Sequence, residues 1–147
     1  MTRTANPPPT HDDAKLLLQL YEMRREPRLR EARRWYAASF RANTIDDLMR
    51  VCPAGSEENA SYRMVTSYWE LVASFVASGV LNRELFYQSG REMLFCWTRL
   101  RDLVPLVRAQ NKNPLEWKNL ETVATAYIEW WNTSAPGAYD AFRDRIK

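Results

Sequence analysis

The sequence predicts an all-α fold, a compact bundle of four to five principal helices with short connecting helices, and three observations carry that expectation. Apolar residues recur at i, i+3 and i+4 through the long segments, and no segment alternates apolar and polar residues as a half-buried strand would. Several of these segments open at a Ser, Thr or Asn placed to cap a first turn. Glycines and most prolines fall between segments, where they end helices.

Size and composition agree. With 46% hydrophobic and 27% charged residues the chain has enough apolar surface to fold, which argues against a disordered protein. Its 147 residues suit one core, expected over residues 10–147 as a single helical domain behind a Pro-rich arm at 1–9. Six Trp, seven Tyr and five Phe predict a core built largely of rings.

Taken in order, Pro7-Pro8-Pro9 ends the arm in a stiff extended stretch. Thr10 with Asp13 makes a capping box before "AKLLLQLYEMRRE", and Pro27 should break that helix near Glu26 and start a new one running to about Ala42. Thr44 and Asp47 repeat the box ahead of a short helix that Cys52-Pro53-Ala54-Gly55 ends. Ser56 caps a long helix over 57–78 that Gly79 closes, and "NRELFYQSG" supplies one or two turns. From Gly90 a helix over 90–110 should be kinked or divided by Pro105. Asn113-Pro114 with Glu116 should open "LEWKNLETVATAYIEWW", and "AYDAFRDRI" forms a last short helix after Pro136-Gly137.

Periodicity also ranks the helices by depth. Trp117, Leu120, Ala124, Tyr127 and Trp131 form one stripe, so their helix is expected at the periphery. The helices at 57–78 and 90–110 are apolar over a wider arc, through Tyr62, Val65, Trp69 and Val72 and through Met93, Leu94, Trp97 and Leu100, and are expected at the centre.

The stretch "MRREPRLREARRWY" holds six arginines in fourteen residues and raises the question of a nucleic-acid grip. At about 100° per residue Leu29, Ala32, Tyr36 and Phe40 share one stripe, while Arg30, Arg34 and Arg41 share another. Trp35 points away from those arginines, and a single-strand binder would interleave the two. Glu26 with Arg30 and Glu31 with Arg34 are spaced for local pairs worth a few tenths of a kcal/mol. The primary reading is therefore a solvated face. The alternative is an anion or nucleic-acid site at Arg30, Arg33, Arg34 and Arg41. Of the 21 basic residues 17 are Arg, but 18 acids leave a net charge of only +3, so nucleic acid is permitted and not favoured.

Other constellations have plain readings beside their functional ones. Asp12-Asp13, Asp46-Asp47 and Glu57-Glu58 each lie in a predicted first turn, where acids complement the helix dipole. His11, the lone histidine, has no second ligand nearby in sequence, so no metal site is expected. Arg63, Ser67, Glu70 and Ser74 form a line on one helix, with Glu92 and Arg99 on the next. Arg63, Glu70, Glu92 and Arg99 together are a candidate polar cleft or a solvated strip with one interhelical ion pair. Trp35 and Trp130 are candidate anchors for a partner if they are exposed.

No Gly-rich phosphate loop, nucleophile elbow or dinucleotide fingerprint is present, so no catalytic residue and no cofactor is expected. Cys52 and Cys96 show neither zinc nor disulfide spacing and suggest a reducing cytoplasm. "MTRTANPPPTHDD" has no apolar run of a secretory signal, and "LVASFVASGVL" is too short to span a membrane. A small-ligand pocket between the aromatic helices is a further reading.

The helix at 57–78 with its Gly79 exit, then "GVLNRELFYQSG" and "MLFCWTRLRDLVPLVR", resembles a family of small bacterial all-helical proteins known only as a domain of unknown function, over about residues 57–131. The resemblance implies a cytoplasmic-facing helical domain, in some members preceded by a membrane helix whose place the Pro-rich arm takes here. It implies no functional residues. The expected role is a non-enzymatic interaction or accessory protein with a protein partner or a second copy of itself.

Overall fold

Short polar side chains close the first turns, and their spacing decides where the helices begin. A computed structural model describes residues 7–147 of the chain. Among the described residues the order is α1 (His11–Arg24), α2 (Pro27–Ser39), α3 (Ile45–Val51), α4 (Glu57–Ala77), α5 (Arg83–Tyr87), α6 (Arg91–Leu100), α7 (Val104–Asn111), α8 (Lys118–Ser134) and α9 (Ala138–Arg145), with no strand. The expected arm lies outside the described residues up to position 6, and Pro7–Pro9 are exposed.

The Thr10 box forms in full: its hydroxyl accepts from Asp13 N, and the Asp13 carboxylate accepts from Thr10 N at 2.8 Å. The side chains of Thr44, Ser56 and Asn82 cap α3, α4 and α5 by accepting from Asp47 N, Asn59 N and Leu85 N, but the expected Thr44 box is not closed, since the Asp47 carboxylate accepts from Asn43 N. Pro105 does divide the 90–110 segment. Lacking an N–H, it sits in the first turn of α7, and α6 ends at Leu100.

Three expectations need correction. Helix α2 stops at Ser39, because Phe40 turns extended and stacks its ring between Tyr36 and Tyr62, with centroids 4.5 and 5.4 Å away. Helix α8 starts at Lys118, after Trp117 has taken a left-handed conformation with φ 52°. That conformation costs a bulky residue about 1–3 kcal/mol. It places the Trp117 indole in the core, edge-on to Tyr62 at 6.3 Å. Finally, α8 is no peripheral helix, since it packs on α4, α6 and α9. Its stripe is broadened by Val123, which is buried beside Leu120, Ala124 and Tyr127.

Helix α4 is the centre, contacting α2, α5, α6 and α8, as its wide apolar arc requires. Tyrosine hydroxyls brace the packing over long sequence distances. Tyr36 donates to Cys96 O at 2.8 Å, Tyr68 to Leu20 O at 2.5 Å and Tyr127 to Tyr87 O at 2.5 Å. Each buried phenol thus satisfies its polar end on the backbone of another helix.

Candidate functional site

The four arginines proposed as one grip are separated. Arg30 is exposed, Arg34 pairs with Glu31 at 3.5 Å on the surface, and the expected Glu26–Arg30 pair is replaced by Glu26 capping Leu29 N. Arg33 turns inward instead. Its Nε and Nη2 donate to the two oxygens of Glu92 on α6 at 2.6 and 2.8 Å, and Arg24 adds a bond to Oε2 at 3.3 Å. The Glu92 hydrogen bonds are the main reason the Arg33 guanidinium sits above its usual range.

Arg41 belongs to a different constellation at the C-terminal end of α2. This helix has no basic residue in its last turn, so its final carbonyls need donors from elsewhere. Arg99 of α6 supplies them: Nη1 donates to Tyr36 O, Ala37 O and Phe40 O at 3.0–3.2 Å, and Nε donates to Ile146 O beyond α9 at 2.9 Å. Arg41 covers Ala38 O at 3.0 Å. A ring contact with Phe95, 4.6 Å from the guanidinium, completes the setting of Arg99. Burial first and the Arg41 charge second hold the Arg99 guanidinium below its ordinary range.

Around this point lies a depression of about 470 Å³ lined by Arg41, Arg99, Arg101, Arg143 and Lys147, with Asp102 as the one acid in its wall. Arg143 and Lys147 share Asp140 and Asp144. Arg41, Arg99 and Arg101 have no carboxylate within ion-pair reach among the described residues. Thr98 and Asn43 add neutral polar groups, and no aromatic side chain contributes to the lining.

A second space of about 310 Å³ opens between α2, α4, α6 and α9. Its wall is apolar apart from Arg33, Arg91 and Glu92, and it includes Trp69, whose indole N–H is buried with no hydrogen-bond partner among the described residues. An orphan donor of this kind costs about 1–3 kcal/mol. Cys96 also lines this space, with burial pushing its thiol up to about 12, and Cys52 is pushed up to about 11. Both thiols are free, buried and protonated at neutral pH.

The proposed cleft of Arg63, Glu70, Glu92 and Arg99 does not assemble. Arg63 and Glu70 border an open groove with Glu116 and Trp117, while Glu92 and Arg99 are committed as described. Glu70 has a structural task that spacing did not reveal: its Oε1 accepts from Leu120 N at 3.0 Å and caps α8 from another helix. Asp13 likewise accepts from Asn82 N at 2.9 Å, and the Thr10 and Asn82 backbone bonds hold its carboxyl below the usual range. Trp35 is half-buried against Phe40, and Trp130 is half-buried against Tyr87 and Tyr127. Among the described residues no group of three or more metal-ligating side chains converges, and no helix is long and apolar enough to cross a membrane.

Compared with known proteins, residues 9–130 match the model of a family described as a domain of unknown function, DUF4760. That match begins well ahead of the 57–131 stretch that carries the resemblance and takes in α1, α2 and α3 as well. No curated protein and no solved structure matches.

Proposed function

The chain belongs to this family of unknown function, and from that premise we propose that it is a non-enzymatic binding module that takes a phosphate-bearing small ligand in the basic depression. One observation carries the reading: Arg41 and Arg101, with no carboxylate partner among the described residues, line a single concave site beside the charge of Arg99, whose Nε and Nη1 are already bonded to carbonyls. The planar fork of Arg matches phosphate oxygens two at a time, which a surface chosen merely for solubility does not require. An incoming anion would also relieve the repulsion between Arg99 and Arg41. Because the lining has no aromatic platform, a compact phosphate compound fits better than single-stranded nucleic acid.

Titration calorimetry with inorganic pyrophosphate and with a single-stranded oligonucleotide, at low and moderate salt, tests this. Pyrophosphate should bind, and Arg41→Ala with Arg101→Ala should abolish binding while Arg30→Ala with Arg34→Ala leaves it intact. Failure of pyrophosphate to bind at low salt, or tighter oligonucleotide binding with a steep salt slope, overturns it.

A protein-docking role is the second reading, supported by Leu18 and Tyr21 on α1, which are 69% and 52% exposed three residues apart. The reduced, buried cysteines support a cytoplasmic setting for a single helical domain.

A further inference from the structure

Beyond the phosphate reading, we propose that the space between α2, α4, α6 and α9 is a binding pocket for a small aromatic carboxylate. Its volume of about 310 Å³ lies at the lower end of the range for pre-formed ligand sites. Tyr36, Phe95 and Phe142 give the body of such a ligand ring faces and edges to pack on, and Val65 adds aliphatic wall.

Trp69 is 2% exposed and lines the pocket, and its indole N–H has no partner among the described residues. The Nε1 atom itself has almost no water-accessible surface, so Trp69 offers the pocket its ring and not its N–H.

Charge decides the head group. Glu92 already accepts three bonds from Arg24 and Arg33. Arg91, exposed at the pocket wall with its guanidinium 5.1 Å above the Trp131 ring, has no carboxylate partner among the described residues. Two cations, Arg33 and Arg91, thus share the pocket wall with one acid that is already neutralised, and a carboxylate head is attracted where an ammonium head is repelled.

The test titrates 2-naphthoate into the full chain while tryptophan fluorescence and Tm are followed. Saturable quenching with a rise in Tm is expected, and 2-(aminomethyl)naphthalene should produce neither. Arg91→Gln alters an exposed side chain and should weaken binding about tenfold, the value of one charged hydrogen bond. Ala37→Phe adds a ring to the pocket wall from an exposed position of α2 and should abolish binding. Both variants should keep the ligand-free circular dichroism spectrum and Tm of the parent. No saturable effect at millimolar 2-naphthoate, equal binding of the amine, or unchanged affinity in either variant overturns the proposal.

Discussion

Replacing Glu92 by Gln removes the charge that holds two guanidiniums in place, and the structure sets the size of the effect. The side chains of Arg24, Arg33 and Glu92 are 12%, 25% and 32% exposed, so the cluster is neither a surface pair nor a fully buried one. Exposed pairs contribute about 0–1 kcal/mol, whereas breaking a buried pair costs about 3–5 kcal/mol by stranding the surviving charge. Arg33 approaches Glu92 with the two-pronged geometry that makes such bonds strong. Gln keeps one acceptor and loses the charge. We expect Glu92→Gln to cost about 2 kcal/mol, lowering Tm by about 4–8 °C for a chain of this length. Urea unfolding followed by circular dichroism measures it, and a double-mutant cycle with Arg33→Gln should give a coupling of about 1–2 kcal/mol. The loss should persist at high salt, since partly buried pairs are little screened. A loss below about 0.5 kcal/mol, or no coupling, would refute the idea that this cluster ties α1 and α2 to α6.

Gly90→Ala should destabilise by about 1–3 kcal/mol through overpacking. A Cβ there would lie on the buried Phe86 ring, 2.7 Å from both Cε atoms, and a Tm equal to that of the parent would refute the close approach. Alkaline pH should unfold the protein through its buried phenols: burial raises Tyr36, Tyr62 and Tyr87 above the usual 10 and pushes Tyr68 and Tyr127 up to about 12. Their contribution is whole below pH 10 and is lost as pH climbs toward 12 and beyond. The phenolate absorbance of these residues should therefore appear together with loss of helical signal. Full ionisation of every tyrosine near pH 10 in a folded chain would contradict that reading.

Much of the architecture was legible in the sequence because it is local. The Thr10–Asp13 box, Pro27 at the start of α2, Ser56 and the division at Pro105 all depend on neighbours within four residues, and all are present. The stripe of Leu29, Ala32, Tyr36 and Phe40 is buried throughout, since helical spacing alone puts those side chains on one side.

What escaped the reading depends on partners distant in the chain. Helix α8 begins late because Trp117 is drawn into the core beside Tyr62 and because Glu70 supplies the cap, fifty positions earlier. Arg33 lies next to Arg34 in sequence, yet one is locked to α6 and the other pairs with Glu31 on its own helix, a distinction created by what happens to stand opposite each.

The chain by itself thus determined helix type, most boundaries and which faces turn inward, since backbone capping and apolar period act over a few residues. Tertiary packing alone decided which charges are spent and which remain for a ligand. Arg99 is consumed by the carbonyl ends of two helices, Arg41 and Arg101 are left beside it, and no spacing rule encodes that arrangement because the helix ends meet only when the bundle closes.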